Sequence, residues 1–139
     1  MEQFEHYISS KEVKNIPSDL VLARNLLKDA RERFNTFFPY RKPTKFIFEN
    51  GYEAIRELID SILALDGYES SSPEAPVTFL LKMNKITEKE ADTLEYFRQL
   101  QNQSKFSGKQ FEEKELQKIL PQIREIYEKI RKIVEARVI

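Results

Sequence analysis

The sequence predicts an all-α fold, an antiparallel bundle of four long helices plus a short helix, in one domain over residues 1–139. Apolar residues recur at steps of three and four along most of the chain, which is the period of an amphipathic helix. No segment alternates with period two, and the 3 glycines leave little from which to build tight hairpins. Connections marked by Pro, Gly and Ser are brief, as between neighbouring helices of a bundle.

The first half of the chain predicts three helices. Phe4, Tyr7 and Ile8 favour a short helix within the N-terminal extension, residues 1–16. Pro17-Ser18-Asp19 is a start signal with Ser18 as the expected N-cap, and Pro39 ends the helix that follows. The next helix ends at Gly67 in the left-handed conformation, and its wide apolar surface makes it the most central helix. The two apolar stripes are Leu20, Ala23, Leu27, Ala30, Phe34 and Phe37, and then Phe48, Tyr52, Ile55, Ile59 and Ile62.

The second half predicts one short and two long helices. Ser70–Pro73 combines a loop with a start signal for a short helix that ends before Asn84. Thr87 and Glu90 have the spacing of a capping box, and the helix they open ends at 106–108. Pro121 lies within the last apolar stripe and predicts either a kink or two helices that meet near Leu120. That stripe, residues 116–134, either packs within one chain or serves a dimer interface.

Composition limits the classes of function. Lys+Arg and Asp+Glu both number 23, so no net charge attracts the whole protein to nucleic acid or to an anionic membrane. Cysteine is absent, which excludes thiol chemistry and fits a reducing compartment. No apolar stretch resembles a signal sequence or a membrane span. We therefore expect a soluble, cytoplasmic protein without a membrane partner.

Few residues have the pattern of a catalytic or metal site. The only histidine, His6, has no identifiable partner for proton transfer and is expected on the surface. Glu53, Glu57 and Asp60 share one helical face, but the Glu-x-x-His motifs of bundle metal sites are missing. Phosphate-binding glycine loops are missing too. We expect no metal and no cofactor.

The polar end of the helix that begins at Thr87 is the strongest candidate site. Gln101 continues the inward-facing stripe of Leu94 and Phe97, so an amide is expected where an apolar side chain would pack. Gln101 and Asn102 either bind a ligand or satisfy backbone carbonyls at the helix end. Phe106 is expected to be core.

The order of elements and several short strings resemble a HEPN domain (higher eukaryotes and prokaryotes nucleotide-binding) of the archaeal-type branch. These strings are VKNIPSDLVLARNLLKDARERF, NGYEAIRELIDSILALDGYES and QNQSKFSG, the last at residues 101–108, and the resemblance spans residues 13–134. It implies a HEPN-like helical bundle and a place in a two-component system, either a toxin–antitoxin pair or a nucleotidyltransferase-associated pair. It also implies a homodimer, since the family's site forms between protomers.

The resemblance also implies a degenerate ribonuclease motif. Active members resemble metal-independent ribonucleases that use an Arg and a His, and the equivalent positions here are Gln101 and Phe106, with Asn102 retained. Glutamine carries no charge, and phenylalanine cannot transfer a proton. No catalytic residue is therefore assigned, and the motif favours a non-enzymatic role.

Three hypotheses follow from this motif. The first is a non-catalytic binding module whose partner is a nucleotidyltransferase or a second copy of the chain. The second is a site formed by four residues that binds a nucleotide or RNA through hydrogen bonds but does not catalyse a reaction. The third is a weak ribonuclease that uses Arg98 with Tyr96. The residues of the second hypothesis are Arg98, Gln101, Asn102 and Lys105.

Overall fold

A computed structural model describes residues 2–139, and most of these residues are helical. The helices are α1 (Phe4–Ser9), α2 (Leu20–Phe37), α3 (Lys45–Asp66), α4 (Ala75–Lys82), α5 (Glu88–Phe106) and α6 (Glu113–Val138), and the strands are β1 (Val13–Asn15) and β2 (Tyr68–Ser70). The predicted all-α class is confirmed, with the four long helices, the short α4 and the N-terminal helix at the expected places. Across residues 2–139, no helix combines the length and the hydropathy needed to cross a bilayer.

Helix α3 is the centre of the core, as predicted. It contacts α2 and α6 most extensively and also packs against α4 and α5. Phe48, Ile55 and Leu58 are completely buried because all sides of α3 except one polar ridge face other helices. The helix ends at Gly67, whose φ of +81° is the left-handed cap that the sequence predicts.

The apolar stripe of α6 is buried within the single chain. Its residues from Leu116 to Val134 lie against α2 and α3, and the Tyr127 ring stacks on Phe34 at 3.7 Å between centroids. Of the two alternatives for this stripe, packing within one chain is the one observed. The helix also runs through Pro121 as one element, so of the two alternatives for this position, two helices meeting near Leu120 is not the one observed.

A two-stranded antiparallel ribbon is the element that the sequence did not predict. Strands β1 and β2 pair with Val13 opposite Ser70 and Asn15 opposite Tyr68. Each strand has three residues, which is too short to show a period of two. The ribbon places α1 on the core, where Phe4 packs edge-on against Tyr68 at 5.2 Å. His6, on the other side of α1, is exposed as predicted.

Two helix starts differ in detail from the prediction. Asp19, not Ser18, is the N-cap of α2, because its carboxylate accepts a hydrogen bond from the Leu22 amide at 2.9 Å. The Ser18 hydroxyl instead donates to the Leu65 carbonyl at the end of α3, at 2.7 Å. Helix α4 begins at Ala75, so Pro76 and not Pro73 lies in its first turn, and the Ser72 hydroxyl accepts from the Ala75 amide at 3.2 Å.

Candidate functional site

Helix α5 carries the predicted site, and its start is held by the predicted capping box. The Glu90 amide donates to the Thr87 hydroxyl at 3.1 Å, and the Thr87 amide donates to the Glu90 carboxylate at 2.8 Å. The cap satisfies backbone amides at the start of α5. Leu94, Phe97 and Gln101 are all buried, so the inward orientation of Gln101 is confirmed.

Arg98 lies one turn from Gln101 and is held by two carboxylates. Its Nε and Nη2 donate to the two oxygens of Glu95 at 2.9 and 2.5 Å, and Nη2 lies 3.5 Å from Glu74 Oε1. The hydrogen bonds to Glu95 raise the pKa of Arg98, and the same bonds lower the pKa of Glu95. Only 19% of the Arg98 side chain is exposed, so a phosphate could reach it only by displacing these carboxylates.

Gln101 is buried, one helical turn before the contact between α5 and the start of α3. Its Oε1 has no hydrogen-bond partner within residues 2–139, which is unusual for a buried acceptor. One turn on, the Ser104 hydroxyl donates to Glu49 Oε2 at 2.7 Å and so ties the end of α5 to the start of α3. The last turn of α5 is capped by backbone amides, since those of Ser107 and Lys109 both donate to the Gln103 carbonyl.

Phe106 is exposed, so the expectation that it belongs to the core is wrong. Its side chain is 83% accessible because it follows the buried Ser104 by two positions, about 200° around the helix. Phe111 takes the expected place against the core, with its ring 5.3 Å from Phe48. Phe46, at the start of α3, is also 59% exposed.

The residues predicted from the motif therefore divide between two sides of α5. Arg98 and Gln101 face inward, whereas Asn102, Lys105 and Phe106 are exposed. Because these side chains point to opposite sides of the helix, they do not form one concave site. The four-residue nucleotide or RNA site stays a prediction, and its polar side chains do not share one surface.

A second candidate site was missed by sequence reasoning. A slot of about 110 Å³ lies between α3, the β2–α4 connection, α4 and α5, and we call it the Asp60 slot. Its polar side chains on α3 are Tyr52, Arg56 and Asp60. Its apolar and loop lining is formed by Ile55, Ile59, Ser70, Ser71, Ser72, Pro73, Pro76, Val77 and Leu94.

Burial changes the acid–base properties of two groups in this slot. It raises the pKa of Asp60 to about 6, against the opposing effect of Arg56, while Glu53 and Glu57 add smaller increases. It also raises the pKa of Tyr52 to about 12, so this hydroxyl keeps its proton at neutral pH. The lining of the slot thus contains the Asp60 carboxyl, whose pKa is about 6, and the Tyr52 hydroxyl, which can donate or accept a hydrogen bond.

Asp60 differs from the other carboxylates on its face of α3. Glu57 accepts from Arg33 at 2.8 Å, and Glu53 lies 3.6 Å from Arg56. Asp60 receives no hydrogen bond from the described residues, although Arg56 is near enough to lower its pKa. The sequence did show Glu53, Glu57 and Asp60 on one face, but only the position of the β2–α4 connection encloses Asp60. In the part of the chain that the structure describes, no three His, Cys, Asp or Glu residues form a metal-binding group.

A scan against protein-family models finds no match to this chain, and a search of curated proteins finds no significant match. The resemblance to HEPN domains therefore stays a hypothesis.

Proposed function

We propose that this chain is a non-catalytic, HEPN-like helical binding module that acts through the end of α5. The observation that carries the proposal is the exposure of Phe106, at 83% of its side chain, on the last residue of a well-formed helix. Burying one phenyl ring stabilises a complex by roughly 2 kcal/mol, so a single exposed phenylalanine can dominate a small interface.

The binding surface extends beyond Phe106, and we call it the α5-end surface. It comprises Phe46, Asn102, Lys105 and Phe106, all of which are exposed. The hydrogen bond from Ser104 to Glu49 holds the two helix ends that carry these aromatic rings against each other. Exposed aromatic side chains beside polar and cationic ones are typical of protein interfaces.

The residues at the motif positions support a role without catalysis. Phe106 cannot act as an acid or a base, and Gln101 offers no charge to stabilise a phosphoryl transition state. Arg98 is the arginine of α5, and Glu95 and Glu74 already neutralise its guanidinium group. The module therefore acts by binding.

The partner that we propose is a second copy of this chain. In a two-fold symmetric dimer, the exposed aromatic rings of one copy can pack against the same rings of the other. The net charge of zero means that two copies do not repel each other at long range. Lys105 beside Phe106 can also lie over the partner's aromatic ring. The apolar stripe of α6 is buried in the core, and Phe106 is the most exposed aromatic residue in the part of the chain that the structure describes. The resemblance further implies a two-component system with a toxin–antitoxin or nucleotidyltransferase partner.

Sedimentation equilibrium over a concentration series tests the proposal. We expect the wild-type protein to dimerise and Phe106→Ser to weaken dimerisation at least tenfold. Val21→Ser is the matched control, because Val21 is an apolar residue that is 69% exposed at the start of α2, beside the opposite end of α3. A monomeric wild type, or equal effects of both substitutions, would overturn the dimer.

An RNA-cleavage assay at high protein concentration tests the absence of catalysis. We expect no cleavage above the buffer control. Cleavage that Arg98→Ala removes would refute the non-catalytic assignment and support the ribonuclease hypothesis. Circular dichroism of the variant shows whether it is folded.

A further inference from the structure

We propose that the Asp60 slot binds a small organic cation, a primary ammonium group on a short apolar body, with the ammonium group at the Asp60 carboxylate. The proposal is independent of the α5-end surface. It rests on a partly enclosed cavity lined by a carboxylate without a hydrogen-bond partner among residues 2–139.

Of the two charged side chains that line the slot, Arg56 and Asp60, only Asp60 has no ion pair or hydrogen bond within residues 2–139. Asp60 is the only acidic lining residue of the slot, and the neighbouring carboxylates on α3 are already paired, Glu57 with Arg33 and Glu53 with Arg56. Arg56 lies on the lining too, but its guanidinium is within 4 Å of Glu53 and not of Asp60. A half-buried carboxylate in this position has lost part of its hydration, and an ammonium group restores the lost hydrogen bonds.

The walls of the slot select the rest of the ligand. The serine loop bonds to itself, since the Ser70 hydroxyl donates to the Ser72 carbonyl at 2.9 Å and the Ser72 hydroxyl accepts from the Glu74 amide. The Ser70 hydroxyl is therefore engaged as a donor and the Ser72 hydroxyl as an acceptor. Besides Asp60, Tyr52 and Arg56 are the polar side chains that α3 contributes to the lining. The remaining walls are apolar, namely Ile55, Ile59, Pro73, Pro76, Val77 and Leu94.

The volume of the slot limits the size of the ligand. At about 30 Å³ per water molecule, 110 Å³ corresponds to roughly four waters, or about five non-hydrogen atoms. Isobutylamine has this size, with a charged head and a branched apolar tail that suits aliphatic walls. Isobutanol has the same shape without the charge, and isobutyrate has a charge of the opposite sign.

A titration followed by two-dimensional NMR of the labelled full chain tests the proposal. At pH 7.5 we expect isobutylamine to give saturable shifts at the amides of Ser70, Ser71, Ser72 and Leu94. Isobutanol and isobutyrate should bind at least tenfold more weakly. Shifts that are absent, spread over the surface, or equal for isobutanol and isobutylamine would overturn the proposal.

Two substitutions complete the test. Asp60→Asn keeps the shape of the side chain and removes its charge, so it should weaken isobutylamine binding at least tenfold. Asp92→Asn removes an exposed charge on α5 and should leave binding unchanged. The spectra without ligand show whether each variant is folded. Unchanged binding in folded Asp60→Asn would refute the assignment of Asp60.

Acidification gives a readout that needs no variant. The charged groups that bear on Asp60 are Arg56, Glu53 and Glu57, all on α3, whereas the loop, α4 and α5 line the slot with uncharged side chains. Since burial raises the pKa of Asp60 to about 6, isobutylamine binding should weaken about tenfold between pH 7.5 and pH 5. Binding that is constant over this range would contradict the proposal.

Discussion

Replacing Asp60 by asparagine should stabilise this protein at neutral pH. Burial raises the pKa of Asp60 from an ordinary value of 3.8 to about 6, which means that the folded state disfavours the ionised carboxyl. At about 1.4 kcal/mol per pH unit, this shift corresponds to an upper bound of roughly 3 kcal/mol, and partial solvent access reduces it. We expect Asp60→Asn to raise the free energy of unfolding at pH 7.5 by about 1–3 kcal/mol.

The pH dependence of this effect has a definite sign. Between pH 4 and pH 6 the folded state holds a proton on Asp60 that the unfolded chain has released, because the folded-state pKa is the higher one. The contribution of Asp60 to stability therefore falls as pH rises through this window and is level above about pH 7. The asparagine variant lacks this contribution, so its advantage should be small at pH 4 and complete at pH 7.5.

Urea denaturation followed by circular dichroism measures this difference at several pH values from 4 to 7.5. Subtracting wild-type from variant stability at each pH cancels the titration of all other groups. Asp92→Asn, on the exposed side of α5, should show no such pH-dependent difference. A stability difference between wild type and Asp60→Asn that is zero at pH 7.5, or the same at pH 4 and 7.5, would refute the argument.

Two further predictions concern the packing and capping of helices. Gly51→Ala should destabilise the protein by about 1–3 kcal/mol, because the added Cβ would lie 2.6 Å from Phe38 Cε1 and 2.7 Å from Ile123 Cγ2. Thr87→Ala should cost about 1 kcal/mol, because it removes the hydroxyl that accepts from the Glu90 amide at the start of α5. Thermal and urea denaturation measure both effects.

Each of these two substitutions has an internal comparison. An alanine in a helix interior normally raises the stability of a protein by about 0.5–1 kcal/mol relative to glycine. A stabilising effect of Gly51→Ala would therefore show that Phe38 and Ile123 can move to accommodate the added Cβ. Thr93→Ala removes a hydroxyl that donates to the Lys89 carbonyl within α5 and is not part of the cap. An equal loss of stability in Thr87→Ala and Thr93→Ala would contradict the capping argument.

The helices could be predicted from the sequence because their signals are local. A helix repeats its contacts every three to four residues, so the stripes of α2, α3 and α6 can be found by periodicity alone. The capping box at Thr87 and the left-handed Gly67 act within one turn of the backbone, and both are observed as predicted. The inward orientation of Gln101 follows from the same periodicity.

The β1–β2 ribbon could not be predicted because pairing joins residues that are far apart in the chain. Val13 and Ser70 are paired although α2 and α3 lie between them in the chain. Three-residue strands carry no periodic signal, and their hydrogen bonds depend on the partner and not on local preference.

The character of the two candidate sites was likewise decided by tertiary structure. The sequence placed Phe106 at the end of α5, where its angle of about 200° from the buried Ser104 leaves the ring in solvent. The tertiary structure then decided that Phe111 makes the core contact with Phe48. The sequence also placed Asp60 on the polar ridge of α3, together with Glu53 and Glu57. The β2–α4 connection then covered Asp60 alone, and because burial disfavours an ionised carboxyl, it made this residue a titrating group inside a slot. Local sequence thus determines which helix carries a side chain, whereas burial depends on which distant segment packs against it.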